Sequence, residues 1–142
     1  MHTTHRPSPF RFTFLHRLLA AASLACCALA AQAATPAELL RGYTAQAASP
    51  ADAARGQAFF TQNHGREWSC SSCHGKVPTQ DGRHASTGKT IAPLAPAFSA
   101  ERFTDAAKTE KWFRRNCTDV AGRECSAAEK ADVLAWLLTL KP

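Results

Sequence analysis

The sequence predicts an all-α domain, and three observations carry that prediction. Capping signatures stand at Thr35 to Glu38 and at Ser126 to Glu129, each leading into apolar residues at helical spacing. No stretch alternates apolar and polar residues for long enough to make a strand. Glycines and prolines recur through one polar segment, residues 61–96, which reads as a long loop between helical stretches.

The chain has 142 residues, and the first 33 read as an address label rather than as fold. Arg6, Arg11 and Arg17 make a basic start without an acid. An apolar run from Leu18 to Ala31 follows, ending in Ala31-Gln32-Ala33, the pattern of a secretory signal peptide cleaved near Ala33. The run is shorter than the roughly 20 apolar residues a bilayer span needs. Cys26 and Cys27 fall inside it, but Ser23 stands where a lipoprotein signal wants an aliphatic residue. Residues 34–142 are then one exported, periplasmic domain with a modest core, not an integral membrane protein.

Thr35, Pro36 and Glu38 open the first helix as N-cap, first helical residue and capping-box partner, with Leu39, Leu40 and Tyr43 as its apolar side. A second start is expected at Ser49-Pro50-Ala51-Asp52, carrying Ala53, Gly56, Phe59 and Phe60. After the loop, Thr104 or Asp105 caps a third helix running to about Cys117, with Trp112 and Phe113 among its apolar residues. Ser126 and Glu129 open the last helix, in which Val133, Trp136, Leu137 and Leu140 share a face. Gly56, Phe60 and Trp136 are expected where the N-terminal and C-terminal helices cross. Trp68, Trp112 and Phe113 are equally compatible with core packing and with lining a cofactor.

Removing the three leader arginines takes the 17 basic residues to 14 against 11 acids, a net charge of +3. No run of Lys and Arg with interleaved aromatics supports a nucleic-acid surface.

Cys70-Ser71-Ser72-Cys73-His74 lies inside the long loop and has the spacing of covalent haem c attachment. Both thiols can form thioethers with the haem, and the adjacent imidazole, His74, then becomes the proximal iron ligand. A thioredoxin-like pair would need a βαβ setting that a helical chain does not offer. A zinc site from Cys70, Cys73, Cys117 and Cys125 would need an eight-residue spacing in its second pair, in an exported protein.

The sixth iron position cannot be filled by the usual thioether, because Met1 is the one methionine and it leaves with the signal peptide. That position is empty, water-bound, or taken by His64, His84, a lysine or a neutral oxygen donor such as an asparagine amide. Loss of the soft sulfur lowers the potential relative to a Met/His site. His64 lies only six residues before Cys70, so it would have to wrap sharply around the ring edge; His84 is freer. Cys117 and Cys125 are expected to pair in an oxidising compartment, immediately after Asn116.

At this point the chain resembles the sphaeroides haem protein family, small oxygen-binding cytochromes c. The resemblance runs through Arg41-Gly42-Tyr43, Ala51-Asp52-Ala53, Cys70 to Gly75, Thr87-Gly88-Lys89 and Ile91-Ala92-Pro93-Leu94-Ala95-Pro96. It continues through Arg102-Phe103-Thr104-Asp105, Glu110-Lys111-Trp112, Arg115-Asn116-Cys117, Gly122-Arg123, Cys125 and Glu129-Lys130-Ala131-Asp132. It implies a small class I cytochrome c fold around one covalent haem, with Asn116 as the distal iron ligand and Cys117–Cys125 as its disulfide. It further implies that the asparagine is released on reduction, opening the iron to oxygen or nitric oxide, and that electrons come from another cytochrome, multihaem or membrane-linked. A hard, neutral oxygen donor suits ferric iron better than ferrous iron. Pro93 is expected either to accept a hydrogen bond from His74 through its carbonyl or only to shape its loop.

Two other functions stay open at this level. A permanent His84 ligand would make a plain low-potential electron carrier. Oxidation of nitric oxide, as in a nitric oxide dioxygenase, would make the protein an enzyme, although the sequence names no acid or base for it.

Overall fold

The computed structural model describes Met1, His2 and residues 33–142. Residues 3–32, which hold nearly all of the segment read as a signal peptide, with Cys26 and Cys27, lie outside the described residues. Among the described residues, five helices and one pair of two-residue strands follow in the order α1 (Pro36–Ala47), α2 (Ala53–Thr61), α3 (Cys70–His74), β1 (Gly82–Arg83), β2 (Thr90–Ile91), α4 (Ala106–Ala121) and α5 (Ala127–Thr139).

The start of α1 is the expected capping box. Thr35 Oγ1 accepts the Glu38 N–H at 3.2 Å, and a Glu38 carboxylate oxygen accepts the Thr35 N–H at 2.7 Å. The start of α2 lies three residues later than the Ser49–Pro50 signal suggests. Asp52 is the cap, accepting the Arg55 N–H at 2.9 Å. It is held there from outside its own helix: its N–H donates to Asp132 Oδ1 of α5 at 2.6 Å. Tertiary contact, not local sequence, sets that boundary.

Asp105 caps α4 by accepting the Lys108 N–H, and the helix runs to Ala121 rather than ending near Cys117. It stops at Gly122, whose φ of 72° is the left-handed turn that favours glycine. Ser126 and Glu129 form the capping box of α5, and Arg123 grips the same Glu129 carboxylate with two bonds of 2.6 and 2.8 Å.

The core is built where α5 meets α1 and α2. Phe60, Val133, Trp136 and Leu137 form one buried cluster; Tyr43, Ala131 and Leu134 form a second. At the crossing of α2 and α5, a Cβ on Gly56 would overlap the Asp132 carbonyl oxygen. The Phe60 and Trp136 rings lie 5.0 Å apart beside it. Asp132, 6% exposed, closes the crossing by accepting Arg55 Nε at 2.8 Å and Nη2 at 2.9 Å.

Helix α4 is tied to this frame at two levels. Lys130 Nζ of α5 reaches Glu110 at 2.7 Å, over the Tyr43 and Phe113 rings. Cys117, inside α4, is disulfide-bonded to Cys125 just before α5, with Cα atoms 5.6 Å apart. Among the described residues no helix is long and apolar enough to cross a membrane.

Candidate haem site

The five residues of α3 are the attachment motif itself. Its first turn is fixed by the Ser69 N–H donating to Ser72 Oγ at 3.0 Å, and it ends at Gly75 with φ 78°. Cys70 and Cys73 are three apart on one helical face, both half-buried and both free thiols. The strand pair seals the motif from outside. Gly82 packs so closely that a Cβ there would overlap the Cys73 carbonyl oxygen, and the Ala85 N–H points at Cys73 Sγ at 3.3 Å.

The chemistry of these donors suits haem better than its competitors. Burial pushes the Cys70 thiol up to about 11, so it is neither the thiolate nucleophile of a redox pair nor a ready zinc ligand. Cys117 and Cys125 are joined to each other, which removes the second half of any zinc set. Burial, reinforced by the charge of Arg102, pulls the His74 imidazole down to about 4. The ring is therefore neutral, the form that binds a metal. Phe60 stands at 6.2 Å from it, ring centre to ring centre. Val77, three residues after His74, and Trp112 of α4 are 52% and 45% exposed, apolar surface that a planar cofactor would cover. The donor set, its protonation and this open apolar surface fit a covalent haem.

On α4, Thr109, Cys117 and Val120 are buried, with Phe113 on the same stripe. Trp112, Asn116 and Asp119 form a second stripe, turned from the first by roughly 90° at 3.6 residues per turn, and all three are exposed. Asp119 lines a cleft of about 340 Å³ together with Gly65, Arg66, Glu67 and Trp68. The segment that leads into Cys70 and the end of this stripe at Asp119 thus share one opening, which Asn116 does not line.

Both competing histidines have ring nitrogens in local hydrogen bonds. His64 Nε2 lies 2.8 Å from the Phe59 carbonyl and its ring stacks on Phe59 at 4.3 Å. A carbonyl only accepts, so this nitrogen carries the proton. His84 Nδ1 accepts the Thr87 N–H at 3.3 Å, with Ser86 Oγ at 3.2 Å. Its Nε2 meets no partner among the described hydrogen bonds.

The Pro93 carbonyl accepts Arg102 Nε at 2.9 Å, while Arg102 Nη2 donates to the Ala92 carbonyl at 2.6 Å, which shapes the loop and leaves the Pro93 carbonyl a second lone pair. Sequence reasoning passed over Arg102, quoted above only within a block of resemblance. Its placement depends on Phe103, which takes φ 60° without being glycine, and no local pattern announces that. Phe113 lies in the core, its ring edge-on to Tyr43 at 5.8 Å; Trp68 is half-buried beside the cleft.

Comparison with known proteins places these features in context. Residues 46–137 match a family described as a domain of unknown function (DUF1924). The chain is 52% identical over 131 residues to the cytochrome c-type protein SHP of Cereibacter sphaeroides, covering 89% of this chain and 96% of that protein. It superimposes on oxidized SHP, described as an oxygen binding cytochrome c, with a TM-score of 0.71 and 51% identity, over 76% of this chain and 99% of that one. It also resembles cytochrome c'' of Methylophilus methylotrophus, 43% identical over 59% of this chain and 61% of that protein. The solution structure of cytochrome c'', described with the structural basis of haem-ligand detachment, matches with a TM-score of 0.67 and 35% identity, over 75% of this chain and 94% of that one.

Proposed function

The chain belongs to the family of c-type cytochromes that includes SHP and cytochrome c'', and from that premise we propose that it is an exported redox protein whose distal ligand, Asn116, is released on reduction so that oxygen or nitric oxide can bind. The cofactor is one covalently bound haem c. It supplies a one-electron couple and, when reduced, a coordination position open to diatomic ligands.

The residues divide the work. Cys70 and Cys73 hold the cofactor on α3, and His74, neutral in its buried setting, is the proximal ligand. Asn116 offers its amide oxygen from the exposed stripe of α4. What supports this assignment is the exposure of Asn116 on the same stripe of α4 as Trp112, beside the disulfide that ties Cys117 to Cys125. The bond of His64 Nε2 to the Phe59 carbonyl supports it from the other side, since that nitrogen is already engaged. The description of SHP as an oxygen binding cytochrome c, and of ligand detachment in cytochrome c'', supports the exchange.

Carbon monoxide added to the reduced holoprotein is expected to shift the Soret band; an unmoved band sinks the open-site reading. Asn116→Ala is expected to convert the ferric spectrum from six-coordinate to five-coordinate or water-bound. An unchanged ferric spectrum would show that another group is the ligand.

Export belongs to the same proposal. Residues 1–33 are the signal peptide, 34–142 the haem domain, and the periplasm the working compartment, where a second cytochrome supplies the electron. Protein from a periplasmic extract is expected to begin at Ala34 by N-terminal sequencing, and an intact N-terminus would contradict this.

A further inference from the structure

His84 anchors the tip of the hairpin that β1 and β2 form. Its N–H donates to the Lys89 carbonyl at 2.8 Å, and its carbonyl accepts the Gly88 N–H at 2.8 Å. Its Nδ1 accepts the Thr87 N–H at 3.3 Å, with Ser86 Oγ at 3.2 Å. One residue thus bonds to each position from 86 to 89, and Gly88, at φ 68°, supplies the left-handed turn that closes the loop. Ala85 stands outside this set, and its N–H is the one that reaches Cys73 Sγ, at 3.3 Å. The base of the hairpin is seated on the same residue. A Cβ on Gly82 would overlap the Cys73 carbonyl oxygen and come within 3.0 Å of His74 Cα.

We propose that His84 is a positioning residue, whose imidazole folds the tip of the hairpin so that the Ala85 N–H holds the sulfur of Cys73 in the haem-loaded protein. Attachment adds the Cys73 S–H across a haem vinyl group: a carbon–sulfur bond forms at one carbon, the thiol hydrogen goes to the other, and no electron is exchanged. The sulfur keeps its lone pairs, so the acceptor that Ala85 uses survives the reaction. A thioether is a weak acceptor, and a bond that weak does not offset the entropy of ordering a loop. The donor has to be in place beforehand, and the bonds of His84 put it there. Because His74 follows Cys73 directly, a held sulfur and a seated Cys73 carbonyl also fix the backbone of the proximal ligand. The inference rests on Cys73 being the second point of haem attachment.

The test compares wild type with His84→Ala and His84→Asn as haem-loaded proteins, with haem on both cysteines of the 70–74 peptide checked by mass spectrometry. An asparagine oxygen can accept the same loop N–H groups, so that variant is the rescue. The Ala85 amide is expected to exchange with deuterated water about tenfold faster in His84→Ala than in wild type. In His84→Asn it is expected to stay within about twofold of wild type, while the α5 amides keep their rates in both. The carbon–sulfur stretching band of one thioether, in resonance Raman spectra, is expected to move in the Ala variant and to return in the Asn variant. If His84→Ala does not accumulate with haem, Gly82→Ala, which lifts the hairpin off the Cys73 backbone, gives the same two readings. Faster exchange with the band unmoved means that His84 only stiffens a loop, and overturns the inference. A ferric Soret band displaced in His84→Ala would put His84 on the iron and overturn it as well. A wild-type peptide with Cys73 unmodified would instead remove the attachment reading on which it rests.

Discussion

At the scale of single residues, the stability of this chain depends on a few carboxylates with fixed partners. Asp132 is buried and meets three donors, two from Arg55 and one from the Asp52 backbone. Such a charge is tolerable inside a protein only when its acceptor sites are filled. Glu129 works nearer the surface. The bond from Arg123, followed by those from Ser126, holds its carboxyl below the usual carboxylate range against the opposing effect of burial. A depressed folded value makes its contribution complete above about pH 4.5 and lost as pH falls below that. Glu129→Gln is therefore expected to lower stability by about 1 kcal/mol at pH 7, and by nothing measurable at pH 2 to 3, in thermal melts at both values. The capping role of Glu129 was legible from its spacing after Ser126; the grip of Arg123 was not, because it depends on the αL turn at Gly122.

At the scale of elements, local chemistry predicted most of what formed. The caps at Thr35 and Ser126 stand where the sequence puts them, and of the two candidates Thr104 and Asp105 it is Asp105 that caps α4, since each cap needs only its own first turn. The start of α2 lies at Asp52 rather than at Ser49–Pro50, fixed by Asp132 far along the chain, and the strands at 82–83 and 90–91 are too short to show an alternating pattern. The crossing of α2 with α5 was foreseen from Gly56, Phe60 and Trp136, and Asp132 is the partner that explains the glycine. Gly56→Ala is expected to destabilise the fold by about 3 kcal/mol in denaturant titration, since the added methyl meets α5 backbone. A loss under 1 kcal/mol would mean that the two helices can slide apart.

At the scale of the whole molecule, α1, α2 and α5 make a frame on which the attachment motif and α4 are mounted. The sequence made the attachment half legible, because Cys70, Cys73 and His74 are contiguous. The cleft between residues 65–68 and Asp119 is not legible in that way, because the approach of those segments is a matter of tertiary structure. Removing the Cys117–Cys125 link with a double Ala variant is expected to cost about 2.5 kcal/mol for a loop of this length. Calorimetry on the holoprotein would measure it, and an unchanged melting temperature would show that Lys130 and Glu110 hold α4 unaided. The two ties of α4 also bear on time. A helix fixed on both sides of Trp112 and Asn116 has no hinge to swing, so the exchange proposed at Asn116 asks the protein only for rotation about side-chain bonds. Such rotations take picoseconds to nanoseconds in exposed residues, against microseconds or more for moving a helix. The arriving electron and the chemistry at the iron, rather than the backbone, then set how fast the site opens.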